Sequence, residues 1–127
     1  MMRKTYRAKN VTASGPYSHA VEVDNFLFLS GQTAMNGETV ENLQGNIAEQ
    51  TKKCFTNLSE VLEVADLTFD DVAKVNVYLT DMNNFTAMNE VYKTYFHEPF
   101  PARTCVAVLA LPLGAEVEIE MIAKRKA

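Results

Sequence analysis

Ala73-Lys74-Val75-Asn76-Val77-Tyr78-Leu79, followed by Thr80-Asp81, is the stretch that decides the fold. Ala73, Val75, Val77 and Leu79 alternate with Lys74, Asn76 and Tyr78, the two-residue period of a strand with one face against a core. Thr80-Asp81 then offers a helix cap, and Phe85, Met88, Val91, Tyr92, Tyr95 and Phe96 form a helical stripe behind it. Pro99 and Pro101 are expected to stop that helix, because proline lacks an amide hydrogen and its ring crowds the preceding turn.

Upstream, Ile47, Cys54, Phe55, Leu58, Val61, Leu62 and Ala65 recur at three- and four-residue spacing, with Glu49, Lys52, Lys53, Asn57 and Glu60 largely between them. This predicts an amphipathic helix from Asn46 onward, packed on a sheet. Asn46 and Glu49 have the offset of a capping box, and Asp66 can close the helix in a left-handed conformation. Further upstream, Ala20-Val21-Glu22-Val23 and Phe26-Leu27-Phe28-Leu29-Ser30-Gly31-Gln32 flank Asp24-Asn25, residue types that tolerate the positive φ of a tight hairpin. Downstream, two more strands are expected around 102 to 109 and 116 to 123. The order of strands, helix, strand, helix, strands predicts an α+β fold, with a mixed, mostly antiparallel sheet and two helices packed on one face. The other face is expected to need cover from another subunit.

A chain of 127 residues suits one domain, 1–127, rather than two. No apolar run is long enough to span a bilayer, and Met1-Met2-Arg3-Lys4-Thr5-Tyr6 lacks the apolar block of a secretion signal, so a cytoplasmic protein without membrane partners is expected. The net charge of -4 opposes nucleic-acid binding, which rests on neutralising phosphates, so no nucleic-acid partner is expected. Lys124-Arg125-Lys126 is the only basic cluster and reads as a solvated end. Cys54 and Cys105 have neither disulfide nor zinc spacing, and His19 and His97 read as surface or hydrogen-bonded residues; no metal and no cofactor are expected.

The residues that could do chemistry lie in Pro101-Ala102-Arg103-Thr104-Cys105-Val106 and, across a Leu111-Pro112-Leu113-Gly114 turn, Val117-Glu118-Ile119-Glu120-Met121. The two strands are read as neighbours. Residues two apart share a face, which groups Arg103 with Cys105 and Glu118 with Glu120, and leaves Val117, Ile119, Met121 and Ala123 for the core. If the strands pair as a hairpin, Arg103 and one glutamate come within reach, the register being open. Two readings then stand: a structural ion pair, or an arginine gripping a substrate carboxylate while a glutamate accepts a proton from water.

Several separated motifs together resemble the RidA (YjgF) family of reactive imine and enamine deaminases. They are Gly15-Pro16-Tyr17-Ser18, Ser30-Gly31-Gln32, Asp81-Met82-Asn83-Asn84-Phe85 leading to Met88-Asn89 and Val91-Tyr92, Pro101-Ala102-Arg103-Thr104-Cys105, and Val117-Glu118-Ile119-Glu120. The resemblance implies a chorismate-mutase-like fold, a homotrimer with clefts between subunits, and small 2-imino acid or enamine substrates such as 2-aminoacrylate, hydrolysed to 2-keto acids and ammonia. It implies that Arg103 binds the substrate carboxylate and that Glu118 orients or activates the attacking water, Glu120 being the weaker candidate. Tyr17, Ser30, Gly31, Asn89 and Cys105 match positions lining the family's cleft. Their plainer readings are a packed loop for Tyr17, a strand bulge for Gly31, an exposed helix residue for Asn89 and a small apolar side chain for Cys105. Two other functions are weighed against deamination: non-catalytic binding of a keto acid, and the endoribonuclease or translation-inhibitor activity attached to some relatives. The loop from Ala34 to Thr39 and the segment from Phe96 to Pro101 are shorter than in many relatives, which bears on substrate identity more than on fold.

Overall fold

Asp24 and Asn25 both take positive φ, 52° and 68°, and turn β2 (Ala20–Val23) back onto β3 (Phe26–Thr33) in the expected antiparallel hairpin. The computed structural model describes residues 2–11, 15–34 and 43–126; the loop positions 35–39 singled out above lie outside them. A short β1 (Lys4–Tyr6) pairs with β2. After β3 come α1 (Ile47–Val64), β4 (Val72–Leu79), α2 (Phe85–Tyr92), β5 (Ala102–Ala107) and β6 (Val117–Lys124). The six strands form one sheet in the order β1-β2-β3-β6-β4-β5, antiparallel throughout except for the parallel pair β4 and β5.

The cap of α1 is half of the expected box. Asn46 Oδ1 accepts the Glu49 N–H at 3.1 Å, but the Glu49 carboxylate turns to Lys52, because the Asn46 N–H is already donated to the Leu43 carbonyl. Such a cap is worth about 1 kcal/mol. Asp66, with φ of 60°, follows the C-cap Ala65 as anticipated. The buried stripe of α1, including Phe55, Leu58, Val61 and Leu62, covers a sheet face built from Leu27, Leu29, Val75, Val77, Ile119 and Met121. Each such side chain contributes roughly 1.5–3 kcal/mol on full burial.

Three expectations are corrected. β5 and β6 are not neighbours, because β4 lies between them. The strand with four fully or nearly buried apolar residues, Val117, Ile119, Met121 and Ala123, takes the centre, while β5 returns through α2 to run parallel to β4 at the exposed edge. Ala73 faces outward: the register slips by one residue between Val72 and Lys74, so Val72 takes the inward place and Ala73 is the extra residue of a bulge. Finally, α2 ends at Tyr92, well before the prolines. Asp81 does accept the Asn83 N–H, capping a 3-10 turn (Met82–Asn84) that leads into the helix. Beyond Tyr92 the bonds tighten to three-residue turns, Thr94 N–H to Val91 and Tyr95 N–H to Tyr92. Tyr95 and Phe96 still reach the core, Tyr95 stacking on Phe55 at 4.4 Å and Phe96 meeting it edge-on at 5.8 Å.

The C-terminal basic cluster is also more than a solvated end. Arg125 donates to both Glu22 oxygens (3.0 and 3.2 Å), to the Ala65 carbonyl (2.8 Å) and to the Tyr6 hydroxyl. The Arg125 and Tyr6 hydrogen bonds hold the Glu22 carboxyl down at about 2. Among the described residues no helix is long and apolar enough to cross a membrane.

Candidate functional site

Arg103 stands on the helix-covered side of the sheet at its β5 edge, in register with the inward-facing Val75. There it meets α2. Phe85, Asn89 and Tyr92 are four and three residues apart and so share one helix face. Asn89 Oδ1 accepts from Arg103 Nη1 at 2.6 Å, and the guanidinium lies over the Tyr92 ring at 4.5 Å and the Phe85 ring at 5.5 Å. Cation–π contacts of this kind contribute roughly 0.5–1 kcal/mol at exposed positions. The arginine remains exposed and forms no ion pair with a described residue. Of the two sequence readings, the structural ion pair is therefore not one that Arg103 makes among the described residues.

Cys105, two residues on, shares that side and is half-buried against the core. Burial pushes its thiol up, with the Arg103 charge opposing. A small apolar role fits it better than that of a nucleophile.

Glu118 lies on the opposite, uncovered face. It pairs with Tyr78 of β4 and Thr33 of β3, and beside it β3 bulges, with two residues, Ser30 and Gly31, between Leu29 and Gln32 where β6 has one between Met121 and Ile119. Gly31 in the bulge leaves room for the Glu118 side chain. A Cβ on Gly31 would stand 3.0 Å from Glu118 Cδ. Ser30 Oγ donates to the Ser18 carbonyl at 2.6 Å, and its N–H to His19, tying the bulge to the loop that carries Tyr17. Tyr17 is 37% exposed, contacts the His19 ring edge-on, and its carbonyl accepts from Arg7. His19 is fully buried and accepts the Ala8 N–H through Nδ1, whereas exposed His97 meets Asp70 at 2.9 Å.

The two glutamates differ in their partners. Glu120 accepts from Asn76 Nδ2 at 3.1 Å and from the Tyr78 hydroxyl, which pushes that phenol up to about 12. Glu118 accepts no hydrogen bond from a described residue, and burial, with Glu120 beside it, raises its carboxyl. A half-buried carboxylate without donors is one whose lone pairs are available to water or ligand.

The predicted residues thus fall into two groups: Arg103, Asn89 and Cys105 on one side of the sheet, and Glu118 on the other beside the Ser30-Gly31 bulge, to which the loop carrying Tyr17 is tied. Phe85 and Tyr92, read from sequence only as core, form the platform under Arg103. Asn89, a polar residue inside their apolar stripe, was the signal for that platform. Among the described residues no three His, Cys, Asp or Glu side chains group in a way that could hold a metal.

The family model described as Endoribonuclease L-PSP, that of the YjgF/RidA proteins, matches residues 7–125. The chain belongs to the RidA family. Among similar RidA-family proteins, a RutC family protein of Pyrococcus abyssi is 47% identical over 112 residues, 88% of either chain. The 2-iminobutanoate/2-iminopropanoate deaminase of Capra hircus is 46% identical over 116 residues, covering 91% of this chain and 85% of that protein. Among solved structures, RidA from an Antarctic Psychrobacter superposes with a TM-score of 0.87 at 41% identity, over 97% of this chain and all of that one.

Proposed function

We propose that the protein is a 2-iminobutanoate/2-iminopropanoate deaminase, hydrolysing reactive enamine and imine intermediates such as 2-aminoacrylate to 2-keto acids and ammonia. The observation that carries this reading is the state of Arg103: steadied by Asn89 and two rings, exposed, and without an anionic partner among the described residues. In an acidic chain, such a cation suits a small carboxylate. The names of relatives such as the goat deaminase support the same substrate class.

The reaction needs little apparatus. Arg103 holds the substrate carboxylate through guanidinium N–H groups left over from Asn89, which orients the adjoining imine carbon. Glu118 accepts a proton from water as the water oxygen bonds to that carbon, and returns a proton to nitrogen. The hydroxyl proton of the tetrahedral aminoalcohol then passes to nitrogen as the C–N bond breaks, its electron pair leaving with ammonia and the oxygen closing to the carbonyl of the keto acid. Each tenfold acceleration requires only about 1.4 kcal/mol of differential stabilisation. No metal or covalent nucleophile is required by this scheme.

Arg103 and Glu118 occupy opposite faces of the sheet in one protomer, so the cleft is taken to form between protomers of a homotrimer, arginine from one and glutamate from the next. Phe26, Phe28 and Val106, exposed on the uncovered face, give such an assembly apolar surface to bury. Tyr17, Ser30 and Gly31 line the glutamate side of the cleft, and Asn89 and Cys105 the arginine side.

The test is keto-acid and ammonia release from freshly generated 2-iminopropanoate, with and without protein. Wild type accelerates it, Arg103→Ala abolishes the acceleration, and Glu118→Gln retains pyruvate binding while losing rate. Unchanged turnover in Arg103→Ala overturns the reading. Pyruvate binding without turnover by wild type would make the protein a keto-acid binder. Arg103-dependent RNA cleavage would support the description carried by the matching family model, against which the charge of -4 argues.

A further inference from the structure

Gln50 has no exposed surface, yet it lies in the first turn of α1, far from any element that sequence reasoning connects with chemistry. A buried amide must find partners. Two of its three hydrogen bonds go to a single residue: Gln50 Oε1 accepts the Glu116 N–H at 3.0 Å, and Gln50 Nε2 donates to Glu116 Oε1 at 2.8 Å. The third goes to the Leu43 carbonyl at 2.8 Å. Glu116 Oε1 also accepts the Gly45 N–H at 2.6 Å, and its carbonyl accepts from Thr80 at the end of β4.

One helical turn after Gln50, the Cys54 thiol points its weak S–H at the Val117 carbonyl, 3.8 Å away. α1 therefore holds both residues that precede Glu118. The Glu118 carboxylate has no hydrogen bond of its own among the described residues, and it stands beside Gly31, where an added Cβ would come within 3.0 Å of its Cδ. Its position then depends on where the backbone of β6 begins.

We infer that Gln50 is a positioning residue for Glu118, acting through Glu116 to fix where the carboxylate stands against the Gly31 bulge. This rests on the deaminase reading for its catalytic consequence but not for its geometry. In the assembled site, the clasp keeps the water-activating group within reach of the imine carbon, where small displacements are costly to rate.

The test compares Gln50→Met, which fills the volume but deletes the clasp, with Glu116→Ala, a milder change at a half-buried position, and Glu116→Gln, whose amide oxygen keeps the acceptor. Three measurements are made: turnover of 2-iminopropanoate, giving kcat and KM, pyruvate affinity, and the titration of the 13C-labelled Glu118 carboxyl. Glu120, Tyr78 and Cys54, the titratable groups electrostatically coupled to Glu118, stay unchanged. In Gln50→Met and Glu116→Ala, kcat is expected to fall about tenfold or more with KM and pyruvate affinity within about threefold. The Glu118 midpoint should move down toward that of an ordinary glutamate as its confinement loosens, and Glu116→Gln should restore both. If Gln50→Met does not fold, Glu116→Ala decides. Folded variants with wild-type kcat and an unmoved Glu118 titration overturn the inference, as does an equal loss of kcat and pyruvate affinity. A wild type that releases no keto acid would remove the reaction, while the Glu118 titration would still decide the positioning.

Discussion

Arg103 and Glu118 point to opposite sides of one sheet, on strands separated by β4. Arg103 aligns with the inward Val75, whereas Glu118 aligns with the outward Tyr78. Side chains on opposite faces of an intact sheet do not share a ligand a few ångströms long. A reaction that needs both therefore needs two copies of the chain.

The contact between Gly31 and Glu118 makes its own prediction. Gly31→Ala places a methyl 3.0 Å from Glu118 Cδ, and the flexible carboxylate will yield before the backbone does. Stability should fall by about 1 kcal/mol, and kcat by about tenfold or more. Thermal unfolding and turnover measured on the same preparation check both, with pyruvate affinity nearly retained if Arg103 alone holds the carboxylate.

Burial raises the Glu118 carboxyl above the ordinary glutamate range. As the proposed base, Glu118 works ionised, so the rate is expected to fall as pH drops through that raised value, giving an acidic limb at higher pH than a free glutamate would give. Burial penalises the ionised form in the folded state, so Glu118 detracts from stability above its raised pKa and ceases to do so below the ordinary one. Glu118→Gln should abolish the limb in residual activity and leave the protein slightly more stable at neutral pH. A pH–rate profile with a matching stability series reads both signs.

Glu22 shifts in the other direction, from 4.5 to about 2, because Arg125 and Tyr6 donate to it. Its stabilisation is present above the unfolded value and lost as pH falls through the folded one. Glu22→Gln is therefore expected to cost about 1 kcal/mol near neutrality and little at pH 2, allowing for solvent screening of a partly exposed pair. Denaturant melts across that window test it, and turnover should be unaffected.

Much of this architecture is legible in the sequence because periodicity and turn chemistry are local. Asp24-Asn25, the α1 stripe and Asp66 are read correctly from the residues themselves. Strand order is not local. Nothing within 102–107 or 117–124 says that β4 comes between them, and the face relation of Arg103 to Glu118 follows from that insertion. The Ala73 error has a related cause, since a bulge shifts the two-residue period by one and only the partner strand reveals it. Arg125 was misread because its partners Glu22 and Tyr6 are about a hundred residues away in sequence. The preference for Glu118 over Glu120 came from motif resemblance. The geometry adds a physical distinction: Asn76 and Tyr78 already occupy Glu120.

Subunit complementation tests the proposed shared cleft most directly. Arg103→Ala and Glu118→Gln chains are each expected to have little or no turnover alone; when unfolded together, refolded and verified as mixed assemblies by native mass spectrometry, one boundary type would unite an intact arginine with an intact glutamate. Random mixing should then restore about a quarter of wild-type turnover, the share of boundaries receiving one good residue from each side. A mixed assembly as inactive as either parent would contradict a site built from Arg103 of one protomer and Glu118 of the next.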